Sequence, residues 1–139
     1  MPTKSCMFNS VSLSLCGSED MATELCVRTC IEVVSRKDVY TSLPIAKDLI
    51  WVSPNYISST MDCAKKNGWS SFWTILALAE VISIPIESVY LPLNGVQDKS
   101  YKFHNLLALP RNSKDENVKV IVMWTRTAYK YGIPITLCH

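Results

Sequence analysis

The sequence predicts an α+β domain, with helices first and a small β-sheet after them. Three observations carry that reading. Apolar residues recur at helical spacing in the segments up to Ile82, the mark of helices with one buried face. Phe72, Ile75, Leu76, Ala79 and Ile82 form the most apolar of these repeats and define a central helix. Beyond Pro85 the composition shifts to β-branched and aromatic runs of strand length, at 86–91 and 118–124.

The first helix is expected to begin at Cys6 and to stop at Gly17, with Phe8, Val11 and Leu15 as its apolar stripe and Ser and Asn residues on its other side. A cysteine in a first turn lies where unpaired backbone N–H groups and the helix dipole favour negative charge. Cys6 is therefore a candidate thiolate nucleophile that faces a groove. The competing reading is a small buried hydrophobe. Ser18 is expected to cap a second helix, with Glu19 and Asp20 in its first turn. Its apolar face is assigned to Ala22, Leu25, Cys26, Val33 and Val34, and its solvated face carries the i,i+4 pairs Glu24–Arg28 and Glu32–Arg36. Cys26 and Cys30 share a face at a spacing a metal could use. No His or Cys pair elsewhere completes four ligands, so both are assigned to the core and no metal or cofactor is expected.

Ser42-Leu43-Pro44 reads as a break and Ser53-Pro54-Asn55 as turn chemistry, with apolar Ile50-Trp51-Val52 between them. A helix is expected over 56–66, closed by Asn67-Gly68, and Ser70 or Ser71 caps the central helix that Pro85 ends. The first strand follows at 86–91 and a second within 103–109. The strongest strand lies at 118–124, a turn runs from Thr125 to Gly132, and a last strand covers 133–138. Trp51, Trp69, Trp73 and Trp124 are assigned to packing.

With 139 residues, 48% of them hydrophobic and 19% charged, the chain suits one domain with a real core. A net charge of +2, with acids and bases interleaved, argues against nucleic acid or an anionic membrane as partner. The apolar stretch 72–93 is divided by Glu80, Pro85 and Glu87, and a bilayer span takes about 20 residues. The run 7–15 after Lys4 is interrupted by Asn9, Ser10, Ser12 and Ser14, unlike a secretory leader. The six cysteines lie in apolar, helix-like segments, so free thiols and a cytoplasmic or nuclear protein are expected.

Cys6-Met7-Phe8-Asn9-Ser10-Val11-Ser12, followed by Gly17-Ser18-Glu19 and Glu24-Leu25-Cys26-Val27-Arg28, resembles the opening of the ovarian-tumour (OTU) cysteine proteases. Gly68-Trp69-Ser70-Ser71-Phe72-Trp73-Thr74-Ile75-Leu76-Ala77-Leu78-Ala79, leading into Ile86-Glu87-Ser88-Val89-Tyr90, is similar to the middle of that family. The Trp-rich form looks most like the branch found in mobile-element-derived and vertnin-like proteins, and the resemblance runs from Cys6 to Trp124. It implies a papain-like fold in which a Cys on a helix N-terminus attacks a ubiquitin isopeptide carbonyl and a His on a late strand takes the thiol proton. Cys6 takes the nucleophile role, His139 is the candidate base by chain order, and ubiquitin or a ubiquitin-like protein is the implied partner.

The chain departs from that pattern at both ends. Thr3-Lys4-Ser5-Cys6 stands where the family has Asp-Gly-x-Cys, and Tyr131-Gly132-Ile133-Pro134 stands where an Asn-His-aromatic step would open the last strand. His104, in Phe103-His104-Asn105-Leu106, corresponds to a strand that carries no catalytic residue. The expectation is thus one OTU-like domain over 1–139, consistent with shortening at both ends. Its rivals are a binding module that has lost catalysis and a fragmentary product with no independent role.

Overall fold

A computed structural model describes residues 6–52, 55–65, 71–90, 105–113, 117–130 and 133–138; for Cys6, 50–52, 124–130 and 133–138 the description is of the backbone. The architecture is α+β. Six helices precede four strands among these residues: α1 (Cys6–Cys16), α2 (Ala22–Ser35), α3 (Lys37–Thr41), α4 (Ala46–Val52), α5 (Tyr56–Ala64), α6 (Phe72–Ile82), β1 (Ile86–Tyr90), β2 (Leu107–Ala108), β3 (Val120–Lys130) and β4 (Ile133–Cys138). The sheet is mixed, in the order β2-β1-β3-β4. β1 runs parallel to β3, while β1–β2 and β3–β4 are antiparallel.

The central helix forms as its apolar spacing requires. Ser71 caps α6 through a capping box in which its hydroxyl accepts the Thr74 N–H and the Thr74 hydroxyl accepts the Ser71 N–H. Ser83 ends the helix in the left-handed region, at φ 57°, two residues before Pro85. Phe72, Trp73, Ile75, Ala77, Leu78 and Ala79 are all buried, so α6 is enclosed on several sides instead of one. One side joins Met7, Phe8 and Val11 of α1, Leu25 of α2, and the inward residues of the sheet: Ile86, Tyr90, Ala108, Val120 and Val122. The other joins Val33, Tyr40, Ala46, Leu49 and Tyr56. There Tyr56 meets Trp73 edge-on, with ring centroids 5.0 Å apart.

Several local expectations are corrected. Ser18 does not cap α2: Met21 holds that position without a side-chain bond, and Ser18, Glu19 and Asp20 form the turn before it. Val34 is exposed, and the buried stripe of α2 runs through Ala22, Leu25, Thr29 and Val33, in phase at three and four residues. Ser12, expected on the outer side of α1, is fully buried because its hydroxyl ties α1 to the next turn. Two short helices, α3 and α4, flank the expected break at Pro44.

β2 is only two residues long. Its pairing is extended by Asn105, whose side-chain amide accepts the Tyr90 N–H and donates to the Tyr90 carbonyl, both at 3.1 Å. The turn expected from Thr125 is instead strand: β3 continues to Lys130 because β4 pairs with it from Trp124↔Cys138 to Lys130↔Ile133, across a bulge between Arg126 and Ala128. The outward face of the sheet keeps Leu107, Ile121 and Met123 exposed. No helix among the described residues is long and apolar enough to cross a membrane.

Candidate functional site

Cys6 is the first residue of α1, where helix geometry leaves backbone N–H groups without intrahelical partners. What orients this helix is its buried face. Met7, Phe8 and Val11 are at most 1% exposed. The Ser12 hydroxyl donates to the Ser18 carbonyl at 2.7 Å and accepts the Met21 N–H at 3.1 Å, fixing α1 to the turn that opens α2. Gly17 closes the helix at φ 75°, its N–H bonded to the Leu13 carbonyl. α1 then packs against both β3 and β4. β4 ends at Cys138, opposite Trp124, so the helix opened by Cys6 touches the strand that leads to His139. The Cys6 side chain and all of Thr3, Lys4, Ser5, His104 and His139 lie outside the described residues.

A second thiol closes the same helix. Cys16 is exposed and its Sγ lies 3.2 Å from the Ser12 carbonyl and 3.7 Å from the Ser18 hydroxyl. Hydrogen bonding from Ser18, through its backbone first and its hydroxyl second, lowers the Cys16 pKa from the ordinary thiol value. It therefore competes for any reagent aimed at a reactive cysteine.

An open groove of 330 Å³ lies elsewhere, lined by charged residues that include Arg28, Glu32, Arg36, Glu80 and Arg111. These charges are largely engaged with one another. Arg111 Nε lies 3.1 Å from Glu80 Oε1 and its backbone N–H donates to Glu80 Oε2 at 2.9 Å. Arg36 and Arg111 also approach Glu32, at 3.6 and 3.8 Å. Glu32 accepts the Tyr40 hydroxyl at 2.9 Å, and burial together with that bond raises the Tyr40 pKa, which keeps the phenol protonated. The network ties the segment after β2 to α2, α3 and α6.

Sequence reasoning missed one grouping. Helical spacing puts Cys26 and Cys30 on one face of α2, and Cys63 of α5 comes up against them: the three Sγ atoms all lie within 4.8 Å of one another. The buried stripe Tyr56, Thr60, Cys63 shows from spacing that Cys63 faces inward, but only packing of α5 on α2 decides what it meets. Cys16, Cys26, Cys30 and Cys63 are free thiols. Mutual hydrogen bonding lowers the pKa of Cys26, and raises those of Cys30 and Cys63.

The family model described as the OTU domain of vertnin matches the chain over residues 4–56 and 52–125. The match takes in Cys6, all six helices and β1, and ends within β3, before β4 and His139. A search of curated proteins gives no match. Cys6 at the head of α1, the buried helix beginning at Phe72 and the strand beginning at Ile86 all fall inside the matched span, and the chain belongs to the vertnin OTU domain family.

Proposed function

We propose that this domain acts on ubiquitin or a ubiquitin-like protein through a papain-like thiol site, with Cys6 as nucleophile and His139 as base, and that its turnover is slow. Membership of the OTU family supports this reading. The observation that carries it is the packing of the Cys6-headed helix against the strand leading to His139. In such a site the base takes the thiol proton and the thiolate attacks the isopeptide carbonyl. The C–N bond then breaks as the base returns its proton to the lysine amine, and water hydrolyses the thioester. No metal enters this chemistry.

Slow turnover follows from two departures from the family pattern. Thr3-Lys4-Ser5 lacks the Gly-containing loop whose N–H groups would hold the oxyanion, and losing one such donor costs roughly 2.7–4 kcal/mol. His139 comes after the residues of β4, whereas the family pattern puts the base at the opening of its last strand. The same departures favour a second reading, a module that binds ubiquitin without cleaving it.

A ubiquitin probe with an electrophilic C-terminus separates the two. It needs a thiolate and a docking surface but no proton for a leaving amine. The expected result is slow labelling that Cys6→Ala abolishes and Cys16→Ser preserves, little cleavage of ubiquitin chains, and only a slight effect of His139→Ala on labelling. Binding of ubiquitin without labelling supports the module. A folded chain that neither labels nor binds refutes both readings.

A further inference from the structure

One cluster of nucleophilic side chains has no part in the chemistry assigned to Cys6. Cys26 and Cys30 lie one turn apart on α2, and Cys63 lies near the end of α5, which packs against α2. We propose that these three thiols form a binding site for one soft d10 metal ion, Zn(II) or Cu(I), that clamps α2 to α5.

The distances fit a single ion. Zinc–sulfur bonds of about 2.3 Å put sulfurs on one ion about 3.8 Å apart in tetrahedral geometry and about 4.0 Å apart in trigonal geometry. Sulfurs already within 4.8 Å of one another reach those separations by side-chain rotations that close them by about 1 Å or less. The donors fit as well, since soft thiolates select zinc and Cu(I) over the harder divalent ions. The scaffold is fixed: Cys63 is 2% exposed in the core beside Leu25, Leu78 and Ala79, while Cys26 and Cys30 sit half-buried at its rim. Cys26 Sγ also lies 3.7 Å from the Cys63 carbonyl, and a cation would replace the protons that the crowded sulfurs hold. Among the described residues no other His, Cys, Asp or Glu joins the group. Trigonal Cu(I) is satisfied by the three thiolates, whereas zinc takes a fourth ligand from solvent at the open rim.

The full chain, reduced, stripped of metal and kept anaerobic, is titrated with Zn(II), with Co(II) as a coloured stand-in for zinc, and with Cu(I) delivered from a chelator. The expected result is one equivalent of zinc or of Cu(I) per chain and a rise in Tm, with thiolate-to-cobalt charge-transfer absorption if the ion is zinc. Cys26→Ser and Cys30→Ser should each lower the affinity at least about 100-fold, beyond the roughly 10–100-fold lost with a ligand's supporting partner. Cys16→Ser should leave it unchanged. Alkylation mapped by mass spectrometry on the unsubstituted chain needs no variant to fold. Bound metal should protect Cys26, Cys30 and Cys63 and leave Cys16 reactive. Stoichiometric uptake of either ion with that protection supports the site and names the ion. Substoichiometric uptake of both, protection at other cysteines, or a disulfide within the trio in place of metal overturns it. The site is independent of Cys6, so failure here leaves the ubiquitin reading untouched.

Discussion

Replacing Ser12 by alanine tests what holds the Cys6 helix in place. The side chain is fully buried, donates to the Ser18 carbonyl at 2.7 Å and accepts the Met21 N–H at 3.1 Å. Alanine leaves both backbone groups without that partner in the half-buried turn between α1 and α2. Two hydrogen bonds at about 0.5–1.5 kcal/mol each are lost, and about 0.5 kcal/mol returns because alanine favours the helix. The net cost is about 0.5–2.5 kcal/mol. With an unfolding entropy near 2.1 cal/mol/K per residue, that corresponds to a fall in Tm of about 2–9 °C for a chain of 139 residues. Ser14→Ala is the control: that hydroxyl is exposed and bonds only within its own helix, to the Ser10 carbonyl at 3.0 Å. Its effect should stay within about 0.5 kcal/mol of zero. Urea unfolding followed by tryptophan fluorescence reads both, with m unchanged if only native contacts are lost. If the two variants differ by less than about 0.5 kcal/mol, Ser12 is not the tie between α1 and α2 and the reasoning is refuted.

Two further outcomes follow from named contacts. The buried Tyr56 hydroxyl donates to the Val33 carbonyl at 2.8 Å, and burial first, with Glu32 second, pushes its pKa from 10.0 up to about 12. The folded state favours the neutral phenol, so its contribution is whole below pH 10 and is lost as pH rises towards 12. Urea midpoints measured across that window should fall. Tyr56→Phe should remove part of the slope and cost about 1 kcal/mol at neutral pH. Gly17→Ala should cost about 1 kcal/mol through backbone strain alone, because φ is +75° and an added Cβ meets nothing within 4 Å. A loss of several kcal/mol in thermal unfolding would mean that the end of α1 is packed more tightly than that geometry allows.

The sequence by itself determined the elements whose signals are local. The Ser71 capping box, the apolar run after it, Pro85 and the β-branched stretch beyond it all act within a few residues, and α6 and β1 lie where those signals put them. The Glu24–Arg28 and Glu32–Arg36 pairs likewise form one turn apart on α2, each at 3.6 Å. Cys6 at the head of α1 was legible in the same way, as was the family, because both rest on short stretches of chain. Tertiary structure decided what depends on a distant partner. β3 runs past Thr125 only because β4 supplies its hydrogen bonds, and Ser12 is inside only because the turn at Ser18–Met21 returns to it. Helical spacing puts Cys26 and Cys30 on one face of α2, but spacing is a property of one helix at a time and says nothing of Cys63 on α5. That three sulfurs on two helices meet within 4.8 Å is a consequence of how α5 seats on α2, and no local pattern contains it.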